Sequence, residues 1–391
     1  LEISLLRILV ALLSIAWIVL ILVEGFETVV QPRRVTRKYR ISRLFYTASW
    51  AGWRWAAGKI FGKSKRRAAF LSAFGPLSLL GVFAIWFLGL IIGFGFLQWG
   101  LRDAIIVNGA QGDIGIGTYL YLSGTTFFTL GYGDVTPITS LGRILAVAES
   151  GLGFGFLAAV LSYLPVLFQA YSRREVNISL LDARAGSPPS AAQLILRAAR
   201  AAQISALDPF LSEWERWAAE LLESQLSFPV LAYYRSQHDN QSWLAALATV
   251  LDTCAVMLTQ VSGVNTYQSQ VTFAIARHAA VDLTLVLRAK SPDPAKTADR
   301  LSTEQFMALR AAMKSAGLQL GEPAGAEEAL RKLRGTYEPF IQGLAERLLL
   351  NVPPLTTADG VPDNWQRSAW MKPISGIGAL PVVTPNEGHF G

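Results

Sequence analysis

The sequence predicts an all-α protein that crosses a membrane and continues into a soluble helical part. Three observations predict it. Only 16% of the 391 residues are charged, against about 25% in soluble proteins. Three long runs carry almost no charge, and the C-terminal half holds amphipathic stretches of helical spacing parted by Pro and Gly. With 52% hydrophobic residues and a mean hydropathy of +0.35, lipid must solvate part of the chain. The single cysteine, Cys254, excludes an intrachain disulfide framework and a multi-cysteine zinc site.

The net charge of +7 is local. Residues 28–101 hold twelve Lys or Arg and no Asp or Glu, so the rest of the chain, +7 less twelve, carries a net −5. A nucleic-acid groove would spread its cations over a folded surface with aromatic stacking partners, so nucleic acid is not expected as a partner. Cations gathered between two apolar runs instead mark a cytoplasmic loop.

The first run lies between Arg7 and Glu24, sixteen uncharged residues flanked by further apolar ones, and predicts an N-terminal transmembrane helix over 1–27. A signal peptide is the alternative, but no basic segment precedes the run and no small-x-small pattern follows it. The basic segment 28–67 comes next. Its Arg34, Arg37, Arg40 and Arg43 recur every third residue like a voltage-sensing ladder, yet the residues between them are too polar for a span. Downstream, Phe45, Tyr46, Trp50, Trp53 and Trp55 alternate with Arg54 and Lys59, the pattern of a helix lying in the headgroup layer.

A second uncharged run covers Ala68–Gly100 and a third covers Ser150–Ser172, entered through Leu141–Ala148 and left through Arg173 and Arg174. Three spans with the basic loop inside place the N-terminus outside and everything after Arg173 in the cytoplasm, as a multi-pass inner-membrane protein. Beyond residue 187, amphipathic stretches are expected near 190–204, 208–236, 241–262, 267–289, 302–317 and 325–350, making an all-α cytoplasmic domain over 187–350. The tail 351–391 is rich in Pro and Gly and lacks periodicity.

Between the second and third runs stands YLYLSGTTFFTLGYGDVTP. Its Thr129-Leu130-Gly131-Tyr132-Gly133-Asp134, with Thr125-Thr126 upstream and Pro137 downstream, resembles the selectivity filter of the potassium-channel pore family of bacterial type, with Leu130 in place of the usual Val. A potassium ion that sheds its water in a narrow pore needs replacement oxygens of similar number and field strength. Backbone carbonyls supply them only if successive ones point to one side, and Gly131 and Gly133 tolerate the backbone angles this requires.

The resemblance covers about residues 70–170 and implies a pore domain over 68–172: outer helix, pore helix near Thr118–Phe128, filter, and inner helix 141–170. It implies potassium ions held by Thr129, Leu130, Gly131 and Tyr132, with Gly133 completing the filter. Asp134, Thr125, Thr126 and Glu149 would support the filter, and Tyr132 would brace it from behind. One strand cannot encircle an ion, so four copies must meet on an axis as a homotetramer. Phe127 and Phe128 are expected to pack behind the filter.

Gly151, Gly153 and Gly155 with Pro165 make the inner helix easy to bend and form a candidate gate, although small residues also permit close packing between membrane helices. Glu149, the one acid in that span, needs a partner or a proton; the resemblance implies that it braces the back of the filter through a pore-helix Thr or Ser, the alternative being a place near the outer interface close to Arg143.

No cofactor is expected beyond potassium in the filter, and no enzyme, since neither a nucleophile with its base nor a phosphate loop stands out. The GxGxG of Gly151–Gly155 lies in an apolar span and cannot cradle phosphate, and no Rossmann pattern follows residue 173. Asp252 in an apolar stretch, and Arg277, His278 and Asp282 together on another, admit an ion or ligand site or a satisfied core network. The function expected is passive, potassium-selective conduction, with an unknown cytoplasmic ligand or partner for the helical domain. The alternatives are a weakly selective cation channel, since Leu130 departs from the common residue, and a membrane-bound sensor whose pore is vestigial.

Overall fold

The computed structural model describes residues 2–31, 40–62, 65–102, 104–107, 114–237, 240–290 and 299–356. They fall into two units, Leu1–Gln169 and Ala170–Gly391.

In the first unit, α1 (Glu2–Val29) and α4 (Phe74–Gly100) run antiparallel. The pairing follows from small residues on α4: a Cβ on Gly93 would lie 2.6 Å from the Ile18 side chain, and one on Gly100 would lie 2.9 Å from the Arg7 carbonyl. Backbones can approach this closely only where side chains are missing. Trp17 adds a directional bond, its Nε1 donating to the Gly89 carbonyl at 2.9 Å.

Between them lie α2 (Ile41–Phe61) and α3 (Lys65–Ser72). The first turn of α2 has no acid of its own. Glu24 of α1 supplies one: its carboxylate accepts from the Ser42 backbone N–H at 3.0 Å and the Ser42 hydroxyl at 2.5 Å, and sits 3.4 Å from Arg40. A carboxylate at the exposed N–H groups of a helix start satisfies donors that the helix itself cannot. Trp53 then stacks on Phe70 at 4.3 Å and Trp50 meets Phe74 edge-on at 4.8 Å. Of the arginine ladder, Arg40 is the residue before α2 and Arg43 lies within it, while Arg34 and Arg37 fall outside the described residues.

After α4 come β1 (Ile105–Val107), α5 (Ile116–Phe127), β2 (Val135–Pro137) and α6 (Ser140–Ala185). The two strands pair antiparallel with Ile106 opposite Thr136, a ribbon that the sequence pattern did not suggest. Ile105, Tyr119, Leu122 and Val135 form a small core at that ribbon. α6 passes Pro165 without a break.

The second unit holds the end of α6 and then α7 (Ala191–Arg200), α8 (Leu207–Ser227), α9 (Trp243–Gln260), α10 (Tyr267–Val286), α11 (Thr303–Ser315), α12 (Ala326–Arg334) and α13 (Glu338–Leu348). Ser190, Ser242 and Ser302 cap α7, α9 and α11 through their hydroxyls, each satisfying an orphan N–H. Two expected stretches are shorter than read. The one at 208–236 gives way to a 3-10 turn at Pro229–Tyr233, and the one at 325–350 is two helices, α13 opening with Pro339 in its first turn. Proline lacks the N–H that a helix interior needs but fits a first turn.

Among the described residues, four helical stretches are long and apolar enough to cross a membrane: Leu5–Val29, Arg66–Gly100 (α3 running into α4), Ser140–Ala185 and Trp243–Gln260. The fourth is α9, and its burial separates it from the rest: 89% of its apolar window is covered by protein, against 22%, 50% and 17%. A helix apolar all round is the centre of a helical domain when protein surrounds it and a span when lipid does.

Candidate functional site

The hexapeptide follows directly from the way α5 ends. The Phe128 N–H donates to the Gly124 carbonyl at 3.1 Å, that of Thr129 to Thr126 at 3.0 Å, and that of Leu130 to Thr125 at 2.8 Å. The last two bonds make the reciprocal closure of a helix C-terminus in which the residue after the cap turns left-handed. Glycine usually fills that position. Here it is Thr129, with φ +55°, a conformation costing a non-glycine residue about 1–3 kcal/mol. Thr125 and Thr126 thus shape the turn through their carbonyls, and the Thr125 hydroxyl is spent on Leu122 O at 3.0 Å.

Left-handed backbone recurs at Gly131 (φ +61°) and Gly133 (φ +75°), while Leu130 and Tyr132 are not left-handed. The hand of the backbone therefore alternates from 129 to 133. Such a segment can present successive carbonyls to one side, which a strand or helix cannot. Within the chain it is largely bare: Leu130 is 52% and Tyr132 67% exposed. Asp134 closes the segment, accepting from the Tyr121 hydroxyl at 2.8 Å and from the Val135 N–H at 3.0 Å. Tyr121 was missed in the sequence, although its place nearly two turns before the end of α5 was visible. Tyr132, expected as a brace, is too exposed to brace its own chain.

Glu149 is fully buried. The Ser123 hydroxyl of α5 bonds its carboxylate, and Gln98 of α4 donates to it at 3.3 Å. Ser123 also reaches the Ile91 carbonyl at 2.8 Å. α4 and α6 are thereby both pinned to α5. Arg143, the other candidate partner, instead directs its Nε to the Pro137 carbonyl. Gln98 was missed; its signal was a single amide among apolar residues near the C-terminal end of the second run.

The glycines of α6 separate by surroundings. A Cβ on Gly153 would collide with the Phe127 carbonyl, whereas Gly151 and Gly155 face open space within the chain. Phe127 and Phe128 meet edge-on at 5.4 Å, and Phe87 lies 5.9 Å from Phe127 and 5.6 Å from Phe156. This aromatic cluster fills the end of the pore helix.

In the second unit Asp252 belongs to a buried ionic network. It accepts from the Tyr337 hydroxyl at 2.5 Å and faces Arg300 at 3.0 Å and Arg334 at 3.4 Å, both of which also bond Glu338. His278 is a surface residue, 3.7 Å from Asp282. Among the described residues no group of three or more His, Cys, Asp and Glu is placed to hold a metal ion. Burial pushes the Cys254 thiol up, so it carries no nucleophilic thiolate near neutrality.

The family described as an ion channel matches residues 81–170, which span α5, the alternating segment and most of the helices on either side. Protein LctB of Bacillus caldotenax is 35% identical over 94 residues, covering 22% of this chain and 69% of that protein. Protein LctB of Geobacillus stearothermophilus is 49% identical over 43 residues, 11% of this chain and 31% of that protein. No solved structure matches the chain significantly. The family match includes the segment whose backbone alternates in hand behind a pinned short helix, and with the LctB similarity it shows that the chain belongs to the ion-channel family.

Proposed function

We propose that the protein is a potassium-selective channel that conducts passively as a homotetramer. The observation that carries this reading is the left-handed backbone at Thr129, Gly131 and Gly133. On this reading the carbonyls of Thr129, Leu130, Gly131 and Tyr132, with the Thr129 hydroxyl, replace the water of a bare potassium ion. Gly133 ends the row and Asp134 holds it. The exposure of the segment supports the fourfold arrangement, because non-helical backbone at membrane depth cannot face lipid and needs protein or a water-filled path around it. The C-terminal end of α5 would direct its partial negative charge toward a cavity cation.

With the basic segment 28–67 inside, the N-terminus lies outside and the helical unit in the cytoplasm. The inner helix is then the gating element, bending at Gly151, Gly155 or Pro165, and Gly153 serves as its packing point. Reconstituted vesicles with opposed potassium and sodium gradients test the reading. The wild type should show a reversal potential near that of potassium, and Gly131→Ala should abolish flux with insertion and assembly intact. A reversal potential near zero would favour a weakly selective cation pore, and undiminished flux in Gly131→Ala would remove the assigned ion path.

A further inference from the structure

α2 has two unlike faces. Its inner face is protein: Ser42, Trp50 and Ala57 are buried, and it is fastened to the spans on either side, Ser42 to Glu24 of α1 and Trp50 to Phe74 of α4, with Phe61 against Phe70 of α3 at 5.1 Å. Its outer face runs through Leu44, Ala48, Ala51, Trp55 and Lys59, spaced three or four apart along one side of the helix, with Arg54 alongside. Leu44 is 71% exposed and Trp55 66%. Lys59 holds its Nζ 5.0 Å from the Trp55 ring centre, and among the described residues neither Arg54 nor Lys59 has an acidic partner.

Such a face suits neither extreme. Leu44 and Trp55 are poor water-facing residues together, and Arg54 and Lys59 are costly in hydrocarbon. The boundary between the two accommodates both, with the indole at the headgroup level and the long cationic stems reaching outward. A helix tied to both flanking membrane spans cannot leave that boundary. Sign then selects the occupant: residues 28–101 contain twelve Lys or Arg and no acid.

We infer that this face of α2 docks on anionic phospholipid headgroups, Arg54 and Lys59 pairing with their phosphates while Trp55 and Leu44 enter the acyl boundary. The inference rests on reading 28–67 as the membrane-flanking loop of the channel, but docking does not depend on conduction and is measured without it. Each cation near an anionic surface gives about a fivefold preference.

The test uses the whole protein in phosphatidylcholine–phosphatidylglycerol vesicles, with brominated chains placed on one lipid or the other at equal mole fraction. The quenching due to Trp55, taken as wild type minus Trp55→Phe, should be stronger when phosphatidylglycerol carries the bromine. The double variant Arg54→Gln, Lys59→Gln should bring the two toward equality, about fivefold per charge removed, and Arg54→Lys with Lys59→Arg should keep the preference. Equal quenching in the wild type, no quenching due to Trp55, or a preference that survives the charge-removing pair would each overturn the inference. Potassium flux in the same vesicles keeps the readings apart: flux without lipid preference sinks docking alone, and lipid preference without flux sinks conduction alone.

Discussion

Gly153 and Gly151 stand two residues apart on α6, yet a side chain would meet the Phe127 carbonyl at the first and open space within the chain at the second. The difference separates packing from bending. Gly153→Ala should lower the stability of the purified channel by about 1–3 kcal/mol, the usual cost of overpacking, while Gly151→Ala and Gly155→Ala should leave the subunit fold intact. Thermal unfolding of the three variants reads this directly, and equal losses at all three would contradict the packing role. Thr129 shows what residue types conceal. A β-branched residue is a poor choice for a left-handed position, and only the closing bonds of α5 onto Thr125 and Thr126 force it there. Gly131 and Gly133 announced their conformation in the sequence, whereas Thr129 did not, and Gln98 could not be paired with Glu149 across fifty-one residues without the packing of three helices.

At the scale of elements, α6 is held firmly where it enters the second unit. Arg174 is buried, donates to the carbonyls of Leu231 at 2.9 Å and Tyr234 at 2.8 Å, and pairs with Glu175, while its own carbonyl accepts from Trp217. Four polar contacts on one side chain and its carbonyl fasten the end of α6 within the helical unit. Arg174→Ala should therefore change open probability in single-channel records and leave the reversal potential unaltered, since the proposed filter lies elsewhere along the chain. A shifted reversal potential, or gating identical to the wild type, would count against this coupling. The elements themselves were largely legible: three apolar runs became α1, α4 and α6, and the short helix before the hexapeptide became α5. α9 exposes the limit, because composition cannot distinguish a helix solvated by lipid from one enclosed by α7, α10, α12 and α13. Pro339 marked the split between α12 and α13, but inside a long amphipathic stretch it was read through rather than as a start.

For the whole molecule, stability toward acid is set in part by the network around Asp252. Burial works to raise the Glu338 carboxyl, but hydrogen bonds and charge from Arg300 and Arg334 outweigh it and hold it below its ordinary 4.5. The unfolded chain then binds the proton first. This contribution is complete above about pH 4.5 and is lost as pH falls through the lower value of the folded state. Melting of the full chain should be insensitive to Glu338 between pH 7 and 5 and drop below, and Glu338→Gln should shallow that drop. An acid limb of unchanged slope in the variant would show that other carboxylates set it. Asp252 itself was legible as a buried acid, but its partners Arg300, Arg334 and Tyr337 lie forty-eight to eighty-five residues away and no local spacing links them.

The glycine seam between α1 and α4 has a practical corollary. With Gly93 against Ile18, Gly100 against Arg7 and Trp17 bonded to Gly89, α1 is welded to its neighbour instead of tethered by a loop. A spectroscopic reporter attached at Leu13, which points away from the seam at 60% exposure, would travel with α4 and register its displacement without touching the 129–134 segment.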